Sequence, residues 1–389
     1  MRQQNAPQPP VSLNVMPKGK EQNREAWVDI AKAFCIMAIV QGHIFYMNWT
    51  KPYNVTLGIT YMLYWFHIPA FLMLSGYLYK SLEPQELGPW VKNRTRRLLV
   101  PYASFIVLLY PVALLLNNQT ASIPNMQGNL LIFLWGGKVL AGIYSIMWFI
   151  TCLYLTQVIF ACVETKLKKR DLLILFICAV YLFAHLLTSY LQNNWGNLIT
   201  SVHKVSFLSG LGPEGLKYID LAIICPPLSI DVVPLAVAYY GLGYLAQPYL
   251  KDVKKIAFIL LPLSLCIIYY LGIVDNFAYR VDLRLGTYNH LFLDLVVPVV
   301  LSLALFSIAQ YYAATPVRKF LAYIGQNTMV IMYLHFAVIV TTGLFKVDAL
   351  VMFLACLTVP IAISALVFER FAITRILFLG SYNEFRKER

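Results

Sequence analysis

Long apolar runs, separated by short connections that carry bases, prolines and glycines, set the pattern of this chain. Windows of about 20 mainly apolar residues are long enough to cross a bilayer as helices. They fall near 27–47, 56–79, 98–117, 146–164, 171–190, 231–250, 255–273, 289–311, 321–344 and 348–369. The pattern predicts an all-α, polytopic transmembrane helix bundle of about ten spans. Leu130 to Ile143 is too short and too rich in glycine to cross, and is expected to be re-entrant or interfacial.

The distribution of bases tests that count, because a missed or invented span would scramble the alternation of basic loops. With the N-terminus inside, the inside segments hold 23 of the 31 Lys and Arg residues, the outside segments hold seven, and Lys32 lies within the first span. Both termini are therefore expected in the cytoplasm of a cell whose inner or plasma membrane holds the protein. Residues 1–23, polar and carrying Pro7, Pro9 and Pro10, read as a disordered cytoplasmic tail and not as a signal peptide. The membrane domain is expected over 24–375 and a basic cytoplasmic tail over 376–389. One outside connection is long, Leu191 to about Ile230, with NNWGN at 193–197 and SGLGPEG at 209–215; it is either functional or a flexible connector.

Composition agrees with the periodicity. Of 389 residues 59% are hydrophobic and 13% charged, against about 25% charged in soluble chains, which excludes an ordinary soluble domain. The net charge of +13 would suggest nucleic acid in a soluble protein. Here the bases sit in short loops and read as topology signals, so membrane lipids are expected partners and nucleic acid is not. Seven cysteines form no CxxC pair and no spacing suited to zinc, so they read as packing residues and no metal site is expected.

Ionisable groups inside apolar spans are expensive, at least ~2.5 to 3.5 kcal/mol at the bilayer centre, and are functional candidates for that reason. The first span, WVDIAKAFCIMAIVQGH, carries Asp29 and Lys32, three apart and able to pair, and then His43. Eleven residues are roughly three turns, so Lys32 and His43 share a face about 16 Å apart. Lys32 would lie toward the cytoplasm and His43 toward the outside; the competing reading has both merely marking the interfaces. His67 sits mid-span in WFHIPAFLMLSGYLY, where Pro69 and Ser75/Gly76 would perturb the helix.

Five of the six histidines, at 43, 67, 185, 290 and 335, fall within or at the ends of spans. This clustering suggests a proton-handling site, since imidazole is the natural general base near neutral pH. His185 and His335 read more readily as helix-packing residues. His290 and Asp294 are four apart, the spacing of an imidazole oriented by a carboxylate or of a structural pair. In KNRTRRLLVPY, Arg94 and Arg97 are three apart at the start of a span, a spacing that suits an inside basic loop or a forked site for phosphates.

Together these residues resemble the acyltransferase-3 family of integral membrane acyltransferases, near its fucose 4-O-acetylase-like branch. The resemblance covers most of the chain. It is carried by DIAKAFCIMAIVQGH, with a basic residue, ten intervening residues and a His; by FHIPAFLMLSGYLY; and by RTRRLLVPY with its R-x-x-R, supported by MWFITCLYL and IGQNTMVIMYLHF. Two departures stand out: Lys32 where Arg is frequent, and no fused extracytoplasmic hydrolase-like domain.

The resemblance implies transfer of an acyl group, usually acetyl from acetyl-CoA, to a hydroxyl of a cell-surface glycan, such as an exopolysaccharide, or of its lipid-linked precursor. Acyl-CoA and the acceptor are then its partners, with a separate extracytoplasmic acyltransferase or glycan-assembly protein as a further candidate. Arg94, Arg97 and Lys32 would hold the donor phosphates. His43 would act as general base or become acylated, with Asp294 or His67 orienting it. The alternatives are succinyl-CoA as donor, or a polysaccharide or lipid exporter without acyl transfer.

Overall fold

The computed structural model describes residues 25–47, 55–116, 133–140, 142–203, 225–345 and 347–381. The expected tail over 1–23 and the SGLGPEG segment lie outside them. Among the described residues the chain is helical, and the sole extended pairing is an isolated bridge between Asp282 and Thr287. In order the principal helices are α1 (Ala26–Met47), α2 (Val55–Tyr64), α3 (His67–Tyr77), α4 (Pro84–Leu116), α5 (Trp148–Lys166) and α6 (Arg170–His203). They continue with α7 (Val233–Leu245), α8 (Ala257–Tyr269), α9 (Leu293–Tyr312), α10 (Arg318–Gln326), α11 (Thr328–Leu344), α12 (Ala349–Ile363) and α13 (Ala372–Leu379).

Among the described residues eight segments are long and apolar enough to cross a membrane, or nine when α10 and α11, bent by 74° at Asn327, are taken as one broken span. The tenth expected span, 56–79, is divided into α2 and α3 at Trp65 and Phe66. Pro69 explains the break: it has no N–H to give to the preceding turn, and it is tolerated in the first turn of a new helix. Two other expected boundaries move. Helix α4 begins at Pro84, so the Arg94 to Arg97 segment is helical and not a loop. Helix α6 runs on to His203 through NNWGN, which was expected to be loop. Helix α13 ends at Leu379, inside the stretch 376–389 read as a basic tail.

Helix α1 is the hub: Ile30, Ala31, Ala33, Cys35, Ile36 and Val40 have no exposed surface, and the helix touches α2, α3, α9, α10, α11 and α12. Helices α1, α5, α7 and α9 are mostly buried within the protein, whereas α4, α6, α8 and α12 are mostly exposed. The side chains on those outer helices, including Val107, Leu186, Phe258 and Leu350, form an apolar surface suited to lipid.

Close approach depends on glycine at particular contacts. A Cβ on Gly325 of α10 would lie 1.8 Å from the carbonyl oxygen of Asp29 on α1. Gly76 and Gly243 likewise let α3 and α7 meet backbone to backbone, with Cβ positions 1.9 Å from Tyr240 O and 2.0 Å from Met73 O. The stretch before α5 holds two 3-10 turns, Gly137–Val139 and Gly142–Tyr144. It meets the turn Pro227–Ser229, where a Cβ on Gly137 (φ +69) would strike Ser229 N at 2.5 Å. A half-buried ion pair, Lys138 with Asp231, ties the two turns together.

Candidate functional site

The two ends of α1 open onto two different spaces. At one end, His43 lines a cavity of about 100 Å³, together with His67 from α3, His335 from α11, and Asp282 and Arg284 from the α8–α9 connection. Ile39, Ile68, Trp148, Phe149, Met332 and Phe336 make the remaining wall largely apolar. The structure thus brings His43 and His67 to one cavity, and adds His335, Asp282 and Arg284.

Hydrogen bonds fix which ring nitrogens carry protons in the neutral rings. His335, fully buried, has Nδ1 2.8 Å from the carbonyl of Ile331 one turn earlier, so Nδ1–H donates and Nε2 is left as an acceptor. That Nε2 lies 2.9 Å from His43 Nδ1, and the two rings are parallel to within 5°. His43 must therefore donate through Nδ1, which leaves its Nε2 with the lone pair that a base or nucleophile needs. His67 is set in the same way, with Nδ1 donating to Leu63 O at 2.6 Å, while the edge of Tyr64 packs on its ring at 4.9 Å.

The connection between α8 and α9 folds over this cavity. Asp282 and Thr287 exchange backbone hydrogen bonds, Gly286 (φ +66) supplies the left-handed turn residue, and Asp282 Oδ1 accepts the Leu285 N–H at 3.1 Å. Burial raises the Asp282 carboxyl above its usual range, opposed by hydrogen bonds from the Leu285 and Arg284 backbones and by the Arg284 charge. Trp65, at the α2–α3 break and without exposed surface, donates to the Tyr279 carbonyl at 3.2 Å. The Arg280 guanidinium stacks over Tyr61 at 4.1 Å.

Asp294 serves this same connection and does not orient His43. Fully buried in the first turn of α9, it accepts Tyr279 O–H at 2.9 Å and His290 N–H at 2.9 Å, and meets His185 Nε2 at 3.2 Å. Its own carbonyl accepts the hydroxyl of Tyr239. The carboxylate meets His185 of α6 and the connection at Tyr279 and His290, whereas His335 meets the His43 ring. The His290–Asp294 contact runs through the backbone N–H and not through the imidazole. Ser75, in the α3 motif, accepts from Gln157 Nε2 at 2.9 Å and so links α3 to α5.

At the other end of α1, Lys32 Nζ lies 3.5 Å from Asp29 Oδ1. Both line a cleft of about 520 Å³ with Glu25, Tyr77, Tyr79, Lys80, Gln247 and Lys251. Arg94 stands one aromatic layer behind it: its guanidinium stacks 5.0 Å from the Trp90 ring, and Trp90 meets Tyr79 edge-on at 5.8 Å. The Nε atoms of Arg94 and Arg97 are buried without a hydrogen-bond partner among the described residues. Such donors are costly when unpaired and favour a site that takes an anion. Gly380 (φ +62) of the α13 cap lies against the Arg97 backbone, where a Cβ would be 2.7 Å from Arg97 O.

The sequence did signal His335, through its place in IGQNTMVIMYLHF, although packing was the favoured reading. For Arg284 and Asp282 it held no signal beyond two charges in an outer loop. A family model described as an acyltransferase domain matches residues 25–369. No curated protein and no solved structure matches the chain.

Proposed function

Because the chain belongs to the acyltransferase-3 family and is a multi-pass membrane acyltransferase, we propose that it moves an acyl group, most readily acetyl, from acyl-CoA to a hydroxyl of a cell-surface glycan or its lipid-linked precursor. In the orientation set by the positive-inside pattern, the Lys32 cleft faces the cytoplasm and the His43 cavity faces outward. Donor phosphates are then held by Lys32, Arg94 and Arg97, a reading supported by the buried Nε atoms of the two arginines, which have no hydrogen-bond partner among the described residues. The pantetheine arm is long enough in principle to follow α1 from one space to the other, about 16 Å.

The observation that carries the mechanism is the hydrogen-bond chain from Ile331 O through His335 to His43, which leaves His43 Nε2 unprotonated. Nε2 takes the proton of the acceptor hydroxyl as its oxygen attacks the thioester carbonyl and a C–O bond forms. The tetrahedral intermediate collapses, the C–S bond breaks, and the proton passes from His43 to the departing thiolate. Had His43 Nε2 attacked first, an acyl-imidazole would form and the acceptor would take the group from it. The same lone pair serves both routes, and trapping of acylated His43 by mass spectrometry separates them.

The test is glycan analysis by mass spectrometry and NMR in a deletion strain and in strains complemented with wild-type or His43→Ala protein. Loss of an O-acyl group on deletion, restored only by the wild type, is the expected result and identifies the acceptor and the acyl group. Full acylation with His43→Ala would overturn the mechanism. Intact acylation with loss of surface glycan would replace acyl transfer by export.

A further inference from the structure

We infer that Arg284 is the electrostatic group of the acyl-transfer step: its guanidinium faces the negative charge that forms on the thioester carbonyl oxygen. The inference rests on the acyl-transfer reading above and adds a residue that neither the sequence pattern nor the family match assigns. Among the described residues lining the His43 cavity, Arg284 is the one cation, given neutral imidazoles, and Asp282 holds the one carboxyl group.

The two differ in how far they are occupied. Asp282 caps its own turn through the Leu285 N–H. The guanidinium of Arg284, by contrast, makes one long hydrogen bond among the described residues, 3.5 Å from Nη2 to the carbonyl of Leu140, and otherwise feels the Asp282 charge. An arginine has five N–H donors in a rigid fork and stays charged at any working pH, so most of that donor capacity remains for an anion in the cavity.

Attack of the acceptor oxygen moves the carbonyl π electrons onto oxygen, and collapse of the intermediate returns them as the C–S pair leaves with sulfur. The charge exists only between those two events. In a cavity walled by Ile39, Ile68, Phe149, Met332 and Phe336, water is a poor source of stabilisation, and a fixed cation acts strongly on a charge that develops there. The fold also holds the cation in place. The connection bearing Arg284 is fastened at Tyr279 and His290 to Asp294, at Tyr279 O to Trp65, and at Arg280 to Tyr61. A flexible loop would have to reorganise at each turnover, and this fastening removes much of that cost.

The experiment measures release of CoA thiol from acetyl-CoA by the full chain in lipid nanodiscs, with glycan lipid extracted from the deletion strain as acceptor. Wild type, Arg284→Ala, Arg284→Gln, Arg284→Lys and His43→Ala are compared, with thermal melting and CoA affinity measured for each. The expected result is a fall in kcat of about 10²-fold or more for Arg284→Ala and Arg284→Gln, with both KM values, CoA affinity and melting held. Arg284→Lys should keep the charge and recover to within about tenfold of wild type, and added guanidinium chloride should partly restore Arg284→Ala.

Retention of kcat to within about threefold in Arg284→Gln, or an effect confined to the acceptor KM, would overturn the assignment. So would a Lys variant as inactive and as low-melting as the Ala variant, which would mark Arg284 as a structural tie to Leu140. If Arg284→Ala alone fails to fold, the Gln and Lys variants decide. Absence of transfer by wild type, or activity in His43→Ala, would instead sink the underlying acyl-transfer reading, and the two failures are thereby told apart.

Discussion

His43 Nδ1 lies 2.9 Å from His335 Nε2, and a third group, the carbonyl of Ile331 held 2.8 Å from His335 Nδ1, fixes the direction of that hydrogen bond. A base on one helix thus has its tautomer set by a second imidazole on another helix, as metal-bound and catalytic histidines commonly have theirs set by an outer partner. Replacing His335 by Ala frees the His43 ring to place its proton on either nitrogen. The expected loss in kcat is about 10- to 100-fold, with acyl-CoA affinity unchanged. The double variant His43→Ala/His335→Ala should be no slower than His43→Ala alone, because the two residues act as one unit. Additive losses would show that His335 acts elsewhere.

Donor binding should depend on the geometry of Arg94 as well as its charge. Arg97→Ala and Arg94→Ala remove buried Nε donors that have no partner among the described residues, so each is expected to weaken CoA binding by tenfold or more, roughly the worth of a charge-assisted hydrogen bond, with little loss of stability. Arg94→Lys keeps the charge, loses the fork and the planar stack on Trp90, and should bind CoA nearly as weakly as the alanine variant. Calorimetric titration with CoA makes the measurement. Full affinity in Arg94→Lys would rule out forked recognition.

Asp294 is a tension member of the fold. Asp294→Ala leaves the Tyr279 hydroxyl, the His290 N–H and His185 without their acceptor, a loss of about 3–5 kcal/mol for breaking a buried, charged network. Asp294→Asn keeps the shape and part of the hydrogen bonding, and should melt between the alanine variant and wild type. Equal melting of all three in detergent would show that the network carries no stability.

Glycines at helix contacts provide a graded test of packing. Gly243→Ala drives a methyl into Met73 O, 2.0 Å from the Cβ position, whereas a Cβ on Gly88 meets nothing within 4 Å. The first should cost about 1–3 kcal/mol or more, because the obstacle is backbone that cannot rotate away. Gly88→Ala, within a helix, should be neutral or stabilising. A reversed order in the yield and melting temperature of folded protein would contradict the α3–α7 contact.

Hydropathy is a local property, so the membrane class, most of the spans and the polar residues marooned within them were legible from the chain alone. The separation of Lys32 and His43 on α1 was also legible, because it needs only the pitch of one helix. The break at Trp65–Phe66 was partly legible, because Pro69 marked a perturbed helix, whereas the break at Asn327 and the continuation of α6 through NNWGN were not, because a short polar window reads alike as helix or loop. Partnership was the least legible of all. His43 and His335 are 292 positions apart, and Asp294, an apparent partner for His43 by residue type, is turned to Tyr279 and His185. Which side chains meet depends on how each helix is rotated about its axis and how closely its neighbours approach. Those quantities are set by contacts between distant segments, such as Gly325 on the Asp29 backbone, and only the assembled bundle decides them.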